Sequence, residues 1–179
     1  MTSRSSGIFP SLAAGYDQPL EMLASCHERM RARLDTLARL VDHLRVRGRD
    51  AAAVDAARSV LRYFDEAAPH HHADEEQSLF PRLSAANPEA SGPLIAAIEA
   101  DHAGLAATWL RVRPGLAAIA EERGAALDAD AVAALRAGYH AHIDLEEREL
   151  IPLAASTLDS AALAEIAAEM AARRGLTMR

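Results

Sequence analysis

The chain carries eight histidines, and five of them fall into two tight groups, at residues 70–72 and 140–142. His71 with Glu75, and His142 with Glu146, are each four residues apart. On a helix that spacing stacks an imidazole and a carboxylate about 6 Å apart on one face, where both can reach a single metal ion. Two such helices give a matched pair of half-sites, and His27 and His102 bring the imidazoles to four. This mixture of nitrogen and oxygen donors suits iron, with manganese and zinc as competitors. Two carboxylates set between two ions can bridge them. His72 and Glu76 offer the same spacing in the second helix, so His71–Glu75 and His72–Glu76 are rival registers there.

The two pairs belong to an internal repeat. HHADEEQSLFP (71–81) aligns without a gap on HIDLEERELIP (142–152), and both read H-x-x-x-E-E-x-x-L-[FI]-P. The match of Pro81 with Pro152 favours His71–Glu75 as the donor pair.

These residues need four helices to position them, and the hydrophobic periodicity predicts four. The first pattern runs from Asp17 and Pro19 to about Arg47, before Gly48, and its stripe includes Leu23, His27, Met30 and Leu34. The second runs from about Ala51 to Leu83, with Phe64, Ala68, His71, Glu75 and Leu79 on one face. Residues 87–93 are expected to be a loop. The third pattern runs from Pro93 to about Arg123, with Ile98, His102, Leu105 and Trp109 in its stripe. The fourth runs from about Asp130 to Leu150, with Tyr139, His142, Glu146 and Leu150. A shorter fifth pattern covers Ser160 to Arg174, either capping the bundle or forming a contact for a homodimer.

Every long helix thus places one histidine in an apolar stripe, and two of them add a glutamate one turn on. A carboxylate in a dry core is costly unless a partner satisfies it. Pro69 and Pro114 lie inside helical patterns and each is expected to kink its helix. His72, Glu76, Glu147, Asp101 and Asp144 are candidates for supporting the ligands, because a ligating imidazole usually donates its other N–H to a carboxylate or carbonyl. His43, His70 and His140 fall off the stripes and are expected in solvent. Tyr139 and Trp109 read as core packing, and Cys26 as a small buried residue.

Composition sets the outer limits. Apolar residues make up 50% of the 179 and aromatics only 4%, with Ala and Leu dominant, which favours helices over strands. The formal net charge is −7 and every basic residue is arginine, interspersed with acids. No basic block is available for phosphate, so nucleic acid is not an expected partner. No apolar run approaches the ~18 residues of a membrane span, and the first residues lack an apolar core of signal-peptide length, which predicts a cytoplasmic protein. Cys26 is the single cysteine, so neither an intrachain disulfide nor a cysteine-based zinc site can form. The domain organisation expected is an arm at 1–16, a bundle at 17–153, and a short C-terminal helix and tail at 154–179.

The repeat, the stripes and the lone histidines resemble the hemerythrin-like cation-binding (HHE) domains over about residues 17–153. The resemblance implies an all-α, up-down-up-down antiparallel four-helix bundle around two oxo- or hydroxo-bridged iron ions. It carries His27, His71, Glu75, His102, His142 and Glu146 over as iron ligands, with the two glutamates as bridges. The chain departs from the oxygen-carrying hemerythrins. Ala106 stands four residues after His102, where those proteins have a fifth histidine. Glu146 and Glu147 stand where their last ligand is an aspartate. The ligand set is closer to that of iron-centre repair proteins and of an iron-sensing domain in a eukaryotic F-box protein. Four imidazoles leave open positions for a diatomic ligand or peroxide, so the expected task is sensing or reacting with O2, NO or peroxide, or reporting iron availability. An exposed second iron is expected to oxidise in air rather than store oxygen. Turnover of NO or peroxide, repair of iron centres, and simple O2 or iron storage are the alternatives. No Gly-rich phosphate loop and no nucleophile–base arrangement is present, so the sequence leaves open whether the chain is an enzyme.

Overall fold

The computed structural model of the chain describes residues 18–176, so the expected arm lies outside the described residues. Those residues form four long helical rods and one shorter helix, with no strand among them. Helix α1 spans Pro19–Arg47 and stops at Gly48, whose φ of 70° is a left-handed conformation that glycine adopts without a Cβ penalty. The second rod, 51–86, is composite: α2 (Ala51–Arg62), a π-helical turn at Tyr63–Ala67, α3 (Ala68–Asp74), a second π turn at Glu75–Leu79, and α4 (Phe80–Ala86). The third is α5, Pro88–Ala120. The fourth rod, 129–157, joins α6 (Ala129–Leu145) through a π turn at Glu146–Leu150 to α7 (Ile151–Thr157). Helix α8, Ser160–Arg173, follows. Each rod packs on the next and the fourth closes on the first, giving the expected antiparallel bundle with a short C-terminal helix.

Helix starts follow side-chain capping. Asp50, Asn87, Asp128 and Asp159 each accept from the backbone N–H three residues on, satisfying a donor that the first turn leaves orphaned. Asn87 corrects one expectation: residues 87–93 are not a loop. With Asn87 as cap and Pro88 at the first helical position, α5 begins five residues before Pro93. Pro114 does not interrupt α5.

The fourth rod also runs past Leu150, its expected end, and through Pro152 to Thr157. The π turns supply the reason. A proline ring inside an α-helix clashes with the carbonyl four residues back and donates no hydrogen bond. Pro69, Pro81 and Pro152 each stand two residues after a π turn, where the widened backbone makes room for the ring. The kink expected at Pro69 takes this form. The prolines that end the sequence repeat therefore mark a repeated backbone feature rather than helix ends.

The core is divided. One apolar cluster holds Met30, Leu34, Phe64, Ala68, Leu105, Tyr139 and Ile143. The other holds Leu23, Leu79, Phe80, Ile98 and Leu150, with Ile166 and Met170 of α8. Helix α8 thus turns its stripe onto its own bundle. Between the clusters, at one level on every rod, lie His27, His71, Glu75, His102, His142 and Glu146, each 6% exposed or less.

Candidate metal centre

Each rod contributes to this polar layer from between two apolar residues of its own stripe: His27 between Leu23 and Met30, His102 between Ile98 and Leu105. The His71–Glu75 and His142–Glu146 pairs sit immediately before or at the start of a π turn, with Glu75 and Glu146 each its first residue.

The donor atoms form two groups. His27, His71, Glu75 and Glu146 each place one ligand atom within 4.8 Å of the others, and His72, His102 and His142 do the same. The two carboxylates span the groups. Glu75 sets Oε1 3.4 Å from His71 Nε2 and Oε2 3.4 Å from His102 Nε2. Glu146 sets Oε2 3.0 Å from His27 Nε2 and Oε1 3.1 Å from His142 Nε2. Each carboxylate thus offers one oxygen to each group, which is the disposition of a bridge between two cations.

The proteins' own hydrogen bonds do not satisfy this layer. Nine buried side-chain nitrogen and oxygen atoms lack a hydrogen-bond partner among the described residues, and all nine belong to His71, His72, Glu75, His102, His142 and Glu146. His27 Nε2 and His71 Nε2 face each other at 3.2 Å, where only one can carry a proton. Buried donor atoms that converge without hydrogen-bond partners are what a cation would satisfy. The residues present therefore fit bound metal ions.

Electrostatics within the metal-free layer express the same crowding. Burial and the neighbouring Glu146 charge push the Glu75 carboxyl well above the carboxylate range. Burial acts on Glu146 in the same direction, but contacts with His102, His142 and His27 outweigh it and hold this carboxyl well below that range. Burial keeps His71 far below an ordinary imidazole. For His102 burial is outweighed by Glu146, Glu75 and Glu76, which carry it up to about 10.

A supporting ring orients the imidazoles. His27 Nδ1 donates to Glu147 Oε1 at 3.1 Å, and the Arg31 guanidinium clamps Glu147 at 2.8 and 2.9 Å and reaches Asp144 at 3.2 Å. His102 Nδ1 donates to Glu76 Oε1 at 2.6 Å. A proton fixed on Nδ1 leaves the Nε2 lone pair for the interior. Asp101 lies 3.7 Å from His142 Nδ1, beyond a hydrogen bond. Glu76, Glu147 and Asp144 thus stand in the supporting ring expected of them. Glu76 serves His102 rather than His72, so the His72–Glu76 register does not form. His70 is exposed, as expected, while His43 is half-buried and paired with Asp50 at 2.9 Å. His140 is also half-buried.

Two features escaped sequence reasoning. Asp74, fully buried beside Glu75, is paired with Arg173 and with Arg174, whose Nη2 lies 2.6 Å from Oδ2; its partners are about a hundred residues away. His72 joins the second donor group instead of supporting the first. Cys26 is buried and holds its thiol above the ordinary value through that burial, so it is not a poised nucleophile.

An uncharacterized protein of Haemophilus influenzae is 32% identical over 165 residues, covering 92% of this chain and 95% of its own length. The hemerythrin HHE cation-binding domain matches residues 18–154, which take in the first three rods, most of the fourth and every member of the polar layer, and none of α8. With its composite helices, its split core and its His/Glu layer, the chain belongs to the hemerythrin HHE cation-binding domain family.

Proposed function

We propose that the chain holds two iron ions in the polar layer and uses them to bind or respond to a small ligand of the diatomic or peroxide class. His27, His71, His102 and His142 would be the imidazole ligands, and Glu75 and Glu146 the bridges. The observation that carries this reading is the spanning arrangement of the two carboxylates, one oxygen toward each donor group. Iron, when bound, would supply a redox-active Lewis acid able to take such ligands. The residues of the chain hold and orient it. Glu147 and Glu76 keep protons on the outer nitrogens of His27 and His102, and apolar clusters flank the layer on either side. Zinc and manganese compete for the same donors.

The test is an anaerobic titration of the Fe(II)-loaded protein with nitric oxide, followed by absorption and electron paramagnetic resonance. A saturable change with a fixed ligand-to-protein ratio is the expected result. Two bound irons with no response to nitric oxide or azide would contradict the small-ligand reading and leave a store or structural pair.

A further inference from the structure

A groove lies between α1 and the second rod at the level of the first π turn. Arg33 of α1, Ser59 and Arg62 of α2, and Tyr63, Glu66 and Ala67 of the turn line a space of about 360 Å³, within the size range of small-molecule sites. Tyr63 is half-buried, and its hydroxyl donates to the Cys26 carbonyl at 3.1 Å, which fastens the π turn to α1. Burial pushes that hydroxyl up to about 12, against the pull of the nearby Arg29 and Arg33 guanidiniums.

The arginines set this groove apart. The chain is acidic, with a net charge of −7. Among the described residues, every arginine except Arg33, Arg47 and Arg62 makes a hydrogen bond or an ion pair. Two of those three share one groove, where solvation alone would scatter them. Glu66, the acid in the lining, pairs with neither of them. Ser59 keeps its hydroxyl out of any hydrogen bond among the described residues, whereas Thr36, Ser91 and Thr108 give theirs to the carbonyl four residues back.

A guanidinium presents its N–H groups as a planar fork that matches phosphate oxygens, with hydrogen bonds strengthened by charge. Two forks and a hydroxyl offer more donors than the two oxygens of a carboxylate can use, and they suit the three terminal oxygens of a phosphate. The space is larger than one phosphate, and Tyr63 with Ala67 gives the remainder an apolar wall.

We propose that this groove binds the phosphate group of a small phosphomonoester through Arg33, Arg62 and Ser59. The site is separate from the metal layer and does not depend on it. Glu66 opposes the charge of the ligand and moderates its affinity.

The experiment is isothermal titration calorimetry of the full chain at low salt, with inorganic phosphate and phenyl phosphate as probes, on metal-free protein and on protein incubated with zinc. Wild type is expected to bind one phenyl phosphate per chain in both forms, and more tightly than inorganic phosphate. Arg33→Gln and Arg62→Gln should each weaken binding about 10–100-fold. Glu66→Gln should tighten it, and Arg47→Gln, outside the groove, should leave it unchanged. All four side chains are half-buried or exposed, so their replacement leaves the core intact, and far-UV circular dichroism checks this. Absence of saturable uptake would overturn the site. Equal weakening in Arg47→Gln would overturn it in favour of general attraction to positive charge. Uptake only in the zinc-treated protein, untouched by the arginine variants, would move the anion to the metal layer and overturn it as well. Inorganic phosphate binding as tightly as phenyl phosphate would overturn the phosphomonoester assignment in favour of a bare oxyanion.

Discussion

At Glu75 and Glu146, two carboxylates occupy stripe positions that packing alone would give to leucine. Each is 1% exposed or less, and each lacks a hydrogen bond to either oxygen. A buried carboxylate in that condition is strongly unfavourable unless a cation meets it. Glu146→Ala removes the oxygens facing His27 and His142 and is expected to lower bound iron from two per chain to at most one. His43→Ala, which removes a pairing with Asp50 outside the layer, should change nothing. Equal losses in the two variants, read by metal analysis, would contradict the assignment. The six layer residues were legible in the sequence because a period of three and four put each of them in an apolar stripe. His72 was read only as a rival to His71 or a support; its place beside His102 and His142 was not legible, because that counting assumes a constant turn per residue, and π turns lie on both sides of it at Tyr63–Ala67 and Glu75–Leu79.

On the scale of elements, existence and order were readable from periodicity, whereas two boundaries were not. Pro93 was read as a start and Leu150 as a stop. Asn87 with Pro88 supplied a better start, and a widened turn let the fourth rod pass Pro152. The seat of α8 was also hidden, since it depends on Asp74 meeting Arg173 and Arg174 across the fold. Removing one partner of a buried ion pair costs about 3–5 kcal/mol; here the arginines are 17% and 20% exposed, which places Asp74→Ala toward the lower end, at about 3 kcal/mol. Urea unfolding should show that loss as a lower midpoint with an unchanged slope. A loss within about 0.5 kcal/mol, the range of an ordinary surface change, would mean that α8 is held by its apolar stripe and by the Arg82 pairs with Glu165 and Glu169.

The whole molecule is a bundle whose apolar core is interrupted by one polar layer, and its stability is therefore linked to protons and metal. In the metal-free fold the His102 imidazole is carried from an ordinary 6.5 up to about 10. A folded value above the unfolded one contributes stability that is complete below pH about 6.5 and is lost as pH rises through about 10. A cation at Nε2 must displace that proton. Metal uptake near pH 7 should release protons, and affinity should rise with pH toward 10. Calorimetric titrations of metal in buffers of different ionisation enthalpy read this directly. At least one proton released per chain is expected, and none released would contradict ligation by His102. Metal that binds only the folded chain should also raise its melting temperature, by an amount that grows with free metal.

The central claim is that the layer between the two apolar clusters holds two metal ions. The most direct test is the iron content of protein loaded with Fe(II) and desalted without air, together with its visible absorption before and after oxidation. Two irons per chain, with new near-ultraviolet and visible bands on oxidation, is the predicted result. Protein that retains no iron, or retains zinc that iron cannot displace, would contradict it.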